Sequence, residues 1–225
     1  MGHMSRFWDT RATLCPMNLA TPSSIAIPET TGRVLKVLAG TTRPLSGREV
    51  ARLSASPRTT VSRILRDLEL QGLAKVQEAG AGAALLYTLN RDHLAAEPVL
   101  TLMNLKQRLI VFLTHEIERW SIQPHHASLF GSAARGDGDS ASDIDLFIVR
   151  PDGVAEHDHT WRSQLDRLAR TVKDATGNRA GISEISELQL RQFVYERPPI
   201  IDELEGDAIT LVGPGMRSLT RRVPA

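Results

Sequence analysis

Between residues 31 and 72 the apolar positions recur at helical spacing in three short bursts, each closed by a break. "TGRVLKVLAG" places Val34, Leu35, Val37 and Leu38 on one face and stops at Gly40, which predicts a short amphipathic helix with a glycine terminus. In "LSGREVARL", Ser46 precedes Glu49 by three residues, the pairing of a capping box, and Val50 and Leu53 follow. A second short helix is expected there. A third opens at "SPRTTVSRILRDLELQGL", with Ser56 as N-cap, Pro57 at the first helical position, Val61, Leu65 and Leu68 at helical spacing, and Gly72 as the stop. "LAKVQEAGAGAALLYTLN" then reads as two strands around a Gly/Ala-rich turn, a hairpin. Residues 1–27 have no sustained period and are expected to be a tail or arm.

From Pro98, "PVLTLMNLKQRLIVFLTHEIERW" carries Leu102, Leu105, Leu109, Phe112, Leu113 and Ile117. So wide an apolar surface predicts a connecting helix over 96–120, packed on the second domain or on another subunit. "ASLFGSAARGD" leads a strand into Gly131-Ser132, and "ASDIDLFIV" resumes a strand after a polar, turn-like interval. "HTWRSQLDRLARTVKDATG" predicts an amphipathic helix ending at Gly177, "AGISEIS" a short strand, and "IIDELEGDAITLVG" a helix and a terminal strand. The expected organisation is a tail over 1–27, one domain over 28–95, the connecting helix, a second domain over 121–215 and a basic tail over 216–225.

Composition narrows the class. The chain has 225 residues, 41% of them hydrophobic, enough for a real core in one large or two small domains. The single cysteine, Cys15, rules out an internal disulfide framework and a multi-cysteine zinc site, and fits a reducing cytoplasm. No run of eighteen apolar residues and no cleavable leader is present, so a cytoplasmic protein without membrane contact is expected. Met1-Gly2-His3-Met4 reads as a cloning remnant ahead of a native start at Met4. The net charge of +1 says little, but residues 28–95 hold ten Lys/Arg against six Asp/Glu while 125–225 hold twelve against sixteen. Two modules with different partners follow from that split.

The three helices, with a short break between the second and third, and the hairpin after them resemble the winged helix-turn-helix of bacterial transcriptional regulators, over about residues 28–92. The third helix can bury Val61, Leu65 and Leu68 while presenting Arg58, Thr59, Ser62, Arg63 and Arg66 to the phosphates of double-stranded DNA. The competing reading is a solvated arginine face on a domain used for dimerisation. Dimeric helix-turn-helix proteins and the apolar breadth of 99–117 together suggest a homodimer.

Asp143 and Asp145 alternate with Ile144 and Leu146, so on a strand both carboxylates share one face. Two such groups repel unless a cation lies between them, and hard ions such as Mg²⁺ are held by carboxylates together with substrate phosphates. Gly131 and Ser132, at a strand-to-helix junction, offer a hydroxyl, backbone N–H groups and no bulk against a polyphosphate. His125-His126 could ligate metal or mark a polar strand entry, and His157 and His159 in "EHDH" read as a loop ahead of a helix.

Gly131-Ser132, ten residues, then Asp143-Ile144-Asp145, within "GSAARGDGDSASDIDL", closely resembles the signature of the minimal nucleotidyltransferases in the DNA polymerase β superfamily, over about residues 108–213. The resemblance implies an α/β fold of the α+β kind, with a small mixed sheet, helices packed on one of its faces, and transfer of a nucleotidyl group from a nucleoside triphosphate such as ATP. It assigns Gly131, Ser132 and Arg135 to the triphosphate, and Asp143 and Asp145 to two Mg²⁺ or Mn²⁺ ions. A third carboxylate, usually aspartate, should bind metal and deprotonate the acceptor hydroxyl; here Glu184 is the expected residue, with Glu187 as the alternative.

Two functions fit these features. One is an Mg-dependent enzyme that moves NMP to an unidentified hydroxyl, of a protein, a tRNA end or a small molecule. Its winged helix would target it to DNA or repress its own operon, as in toxin-antitoxin or phage-defence modules. The other is a transcriptional regulator whose transferase-like domain is a catalytically weak nucleotide sensor or an oligomerisation unit.

Overall fold

The computed structural model describes residues 16–78 and 84–220. Cys15, the tip of the expected hairpin and Arg221-Arg222 of the basic tail lie outside the described residues. The chain divides into two compact units. Among the described residues, Asn18–Arg119 with Arg135–Asp139 form one, here the N-terminal unit; 16–17, Trp120–Ala134 and 140–220 form the other.

The N-terminal unit runs through a 3₁₀ turn (Pro22–Ile25), α1 (Glu29–Ala39), β1 (Leu45–Ser46), α2 (Gly47–Leu53), α3 (Arg58–Leu70), β2 (Ala74–Glu78), β3 (Leu85–Leu89), α4 (Ala96–Met103) and α5 (Leu105–Glu118). The capping box forms as the sequence dictates. Ser46 Oγ accepts from Glu49 N at 3.3 Å, and the Glu49 carboxylate accepts from Ser46 N at 2.8 Å. That backbone N–H, the Ser46 hydroxyl and then Arg43 hold the Glu49 carboxyl down at about 2. The start of α3 differs from expectation: Pro57 is the N-cap, and the Ser56 hydroxyl donates to Ser54 O instead of capping. Val34, Leu35 and Leu38 of α1, Val50 of α2 and Val61, Ile64, Leu65 and Leu68 of α3 close one core with Leu73, just before β2, and with Leu45 and Leu89 of the small sheet, whose order is β1-β3-β2.

Two other expectations change. Residues 96–120 are two helices that break at Asn104, not one. Ala96 sits in the core just described, with Val99, Leu100 and Met103 packed on it, so this segment extends the N-terminal unit. Nor are 18–27 a loose arm. Asn18 Oδ1 accepts from Ala20 N and Thr21 N, Leu19 is buried, and the 3₁₀ turn packs on α1, α4 and α5.

The C-terminal unit contains β4 (His126–Phe130), α6 (Gly131–Arg135, its last residue in the other unit), β5 (Ile144–Arg150), α7 (His159–Thr176), β6 (Ala180–Ser186), α8 (Glu187–Glu196), α9 (Pro199–Asp207), β7 (Ile209–Val212) and α10 (Met216–Leu219). Its mixed sheet has the order β6-β5-β4-β7, with β5 parallel to β6 and β4 antiparallel to both β5 and β7. Helix α7 ends where Gly177 takes φ 76°, a conformation that glycine adopts without strain. Helices cover both faces of the sheet, not one. Phe147 and Val149 of β5 pack with Leu190 of α8, Leu204 of α9 and Met216 of α10, while α7 packs against β6 through the opposite face, where Trp161 meets Trp120 edge-on at 5.5 Å. Helix α8 was not anticipated, and the start of the basic tail is helical, with Met216 buried.

Candidate functional site

Strand register decides which carboxylates meet. Ile144 N donates to Arg179 O at 2.8 Å, and from there Asp145 lies opposite Gly181 on β6 and opposite Phe130 on β4. Asp143 is exposed just before the strand, and Asp145 is half-buried on it. The Asp145 carboxylate fits between two glycines. A β-carbon on Gly131 would stand 2.7 Å from Oδ2, and one on Gly181 would stand 2.7 Å from Oδ1 and 4.0 Å from the Asp143 β-carbon. Gly131 also has φ +66°, so it serves both the turn from β4 into α6 and the close approach of the carboxylate. The structure therefore brings Gly131, Ser132, Asp143 and Asp145 together at one end of the β4-β5 pair.

It does not bring Glu184 to them. Glu184 pairs in register with Ile148, and side chains of directly paired strand residues share a face, so it lies on the face opposite Asp145. There its Oε1 accepts from Arg150 Nε at 2.7 Å and from Trp161 Nε1 at 3.0 Å, and its Oε2 accepts from Arg162 Nη1 at 3.1 Å. The Glu184 and Arg150 side chains are 11% and 10% exposed, and Arg150 also donates to Val154 O. Glu184 is thus the acceptor of a buried ionic network that ties α7 to the sheet. Glu187 is equally remote from the role: it accepts from Asp152 N at 3.1 Å and pairs with His125 Nδ1 at 3.3 Å. The β6 residues that do share the Asp145 face are Gly181, Ser183 and Ile185. No group of three His, Cys, Asp or Glu side chains that could hold a metal ion occurs among the described residues. The donor set at this site is two carboxylates one residue apart, which suits a single hard ion shared with phosphate oxygens.

Arg135 belongs to the N-terminal unit, where its Nε donates to Asp137 Oδ2 at 3.0 Å. His126 is fully buried at the start of β4. Its Nδ1 lies 2.7 Å from Pro214 O, which can only accept, so Nδ1 carries the proton and Nε2 accepts from Ser128 Oγ at 3.0 Å. Burial pushes its pKa down from 6.5. Neither this histidine nor His159, the first residue of α7, joins the aspartates.

The positioning residues were not singled out in the sequence. Asn178, 1% exposed, donates from Nδ2 to Ser142 O at 3.0 Å and to Met17 O at 3.1 Å, while its Oδ1 accepts from Met17 N at 3.0 Å. It pins the backbone one residue before Asp143. Its one signal is an Asn directly after a helix-ending Gly, in "TGN".

On α3, Arg58, Thr59, Ser62, Arg63 and Arg66 are all exposed, opposite the buried Val61, Ile64, Leu65 and Leu68. Arg58, Arg63 and Arg66 form no ion pair among the described residues.

Comparison with known proteins agrees with both halves of this picture. Residues 31–78 match the family model of the IclR helix-turn-helix domain, and residues 117–201 match that of the nucleotidyltransferase domain. The chain therefore joins an N-terminal helix-turn-helix domain of IclR type to a nucleotidyltransferase domain. A search of the curated proteins returned no significant match. Among solved structures, it is similar to MepR, a transcription regulator of the Staphylococcus aureus multidrug efflux pump MepA, with 18% identity, a TM-score of 0.33, and coverage of 42% of this chain and 74% of that one. A MarR-family protein of Mycobacterium tuberculosis, Rv2887, is similar at 18% identity and a TM-score of 0.28, over 42% of this chain and 70% of its own. No helix among the described residues is long and apolar enough to cross a membrane.

Proposed function

We propose that the protein is a DNA-binding regulator whose nucleotidyltransferase domain binds a nucleoside triphosphate with Mg²⁺ and transfers its nucleotidyl group poorly or not at all. The observation that carries this reading is the place of Glu184, on the far face of the sheet and committed to Arg150, Trp161 and Arg162. The Asp145 face of β6 offers Gly181 and Ser183 instead, and neither can take a proton from an acceptor hydroxyl as a carboxylate would. Asp143 and Asp145 would hold one Mg²⁺ or Mn²⁺, and the Ser132 hydroxyl and the turn at Gly131 would meet the triphosphate. The bound ion supplies positive charge against the phosphate oxygens. The arginine face of α3 would carry the DNA contacts through phosphate neutralisation.

The intact Gly131-Ser132 and Asp143-Asp145 pairs favour a second reading, an enzyme that moves NMP to an acceptor. Incubation of the full chain with each α-labelled nucleoside triphosphate, Mg²⁺ and a cell lysate separates the two. Nucleotide retained on the protein with no labelled product is expected. Labelled product that forms with turnover and disappears in Asp145→Asn overturns the sensor reading in favour of the enzyme.

A further inference from the structure

Within the N-terminal unit, the 3₁₀ turn, α1, the junction of α4 and α5, and residues 135–136 enclose a cavity of about 140 Å³. Four cationic side chains line it, Arg33 and Lys36 from α1, Lys106 from α5, and Arg135, and no carboxylate lies in its wall. Two carboxylates outside the wall pair with these cations: Glu29 lies 3.6 Å from Arg33 Nη1, and Asp137 lies 3.0 Å from Arg135 Nε. Lys36 has no ion-pair partner among the described residues.

Two further details mark this as a built site. Arg33 Nε is the one buried side-chain nitrogen or oxygen among the described residues that has no hydrogen-bond partner. A buried N–H without an acceptor is costly, so an acceptor supplied by a ligand is favoured there. Glycines also stand where side chains would close the space. A β-carbon on Gly32 would meet Ser23 Oγ at 2.8 Å, and one on Gly136, at φ +80°, would meet Lys106 Nζ at 3.2 Å. Gly32 thus lets the Ser23 hydroxyl lie against α1, and Gly136 lets the Lys106 ammonium reach the 135–139 segment.

We propose that this cavity is a binding site for a phosphate or diphosphate group, independent of Mg²⁺ and separate from the residues Gly131, Ser132, Asp143 and Asp145. Its size decides the class: pockets for whole drug-sized ligands run from about 300 Å³ upward, so 140 Å³ admits one or two phosphate groups and leaves the rest of a larger ligand outside. Four cations of fixed sign suit a multiply charged oxyanion. This places Arg135 in an anion site of the helix-turn-helix unit, a different role from the one its "ARGD" context implies. The inference stands whether or not the nucleotidyltransferase domain proves catalytic.

Titration calorimetry on the full chain in EDTA, with inorganic diphosphate and with ADP as separate titrants, tests the proposal. Saturable binding of diphosphate is expected, retained in Asp143→Asn and in the charge control Arg167→Ala. Lys36→Ala and Lys106→Met should each weaken it on the order of tenfold or more, with circular dichroism unchanged. Equal affinity for ADP identifies the terminal phosphates of a larger ligand as the occupant, and weaker binding of ADP identifies the free anion; both support the site. No saturable binding, a double Lys36→Ala/Lys106→Met variant that is folded and binds within twofold of wild type, or a loss in Asp143→Asn equal to that in Lys36→Ala overturns it.

Discussion

Oδ1 of Asp145 lies 2.7 Å from the point where a β-carbon would stand on Gly181. The carboxylate occupies the space that a side chain on the neighbouring strand would otherwise fill. Gly181→Ala should therefore displace Asp145 while leaving the β5-β6 ladder intact. The expected result is a loss of Mg²⁺-dependent triphosphate binding, read by equilibrium dialysis, with little change in melting temperature. Binding equal to wild type would remove Asp145 from the site.

Asp143→Asn and Glu184→Gln should have opposite signatures. The first removes one of two repelling carboxylates, so nucleotide binding falls while thermal stability holds or rises. The second leaves Arg150 without its buried counter-charge, and breaking such a pair costs about 3–5 kcal/mol. Its melting temperature should drop, while whatever fraction is folded still binds nucleotide. If Glu184→Gln instead stays stable and loses nucleotide, the assignment of faces on β6 is wrong.

Ser183 is exposed, shares the Asp145 face and lies two residues beyond Gly181. Ser183→Asp places a carboxylate on that face without burying it. On the reading proposed here, labelled-nucleotide transfer should rise above the wild-type level; no rise in a folded variant that binds Mg²⁺ and nucleotide argues that a missing proton acceptor is not what limits the domain.

DNA binding through α3 predicts a steep dependence on salt. Arg63→Ala and Arg66→Ala should each reduce the slope of log affinity against log salt by about 1, measured by fluorescence anisotropy on duplex DNA from upstream of its own gene. An unchanged slope in the double variant would leave the arginine face a solvated surface.

The buried His126 adds a pH dependence of known sign. Its folded pKa lies below 6.5, chiefly because burial disfavours the charged ring. The unfolded chain then binds the extra proton first. The contribution to stability is full above 6.5 and is lost as pH falls below that value toward the depressed one. Urea melts between pH 7 and 5 should show this loss, and His126→Gln should flatten it.

Much of this was legible from local pattern because the signals were local: the Ser46-Glu49 box, the α3 stripe and the Asp143-Asp145 alternation are each set by residues within a turn or two of one another. The face of Glu184 was not. A one-residue change in strand register moves a side chain through the sheet, and the apolar neighbours Ile182 and Ile185 do not by themselves say which face a glutamate between them takes. Arg150 and Trp161, 34 and 23 residues away in the chain, are what hold it. Asn178 escaped for the same reason, since its partners Met17 and Ser142 are distant in sequence. Helix α8 was missed although Ser186 and Gln189 form a capping box at its start, because Leu188 and Tyr195 face outward and blur the apolar stripe.

Residues 135–139 fold with the N-terminal unit, although the chain on either side of them folds with the C-terminal one, and Met17 makes the reverse exchange. The two halves are therefore interlaced along the sequence, and no single cut separates them cleanly. A fragment ending at Arg119 would lose Gly138, whose carbonyl accepts from Ala20 N at 2.6 Å. A fragment beginning at Trp120 would strip Asn178 of both its hydrogen bonds to Met17. Each half expressed alone is missing a piece that the other carries, so the fused chain is the smallest unit in which either site can be measured.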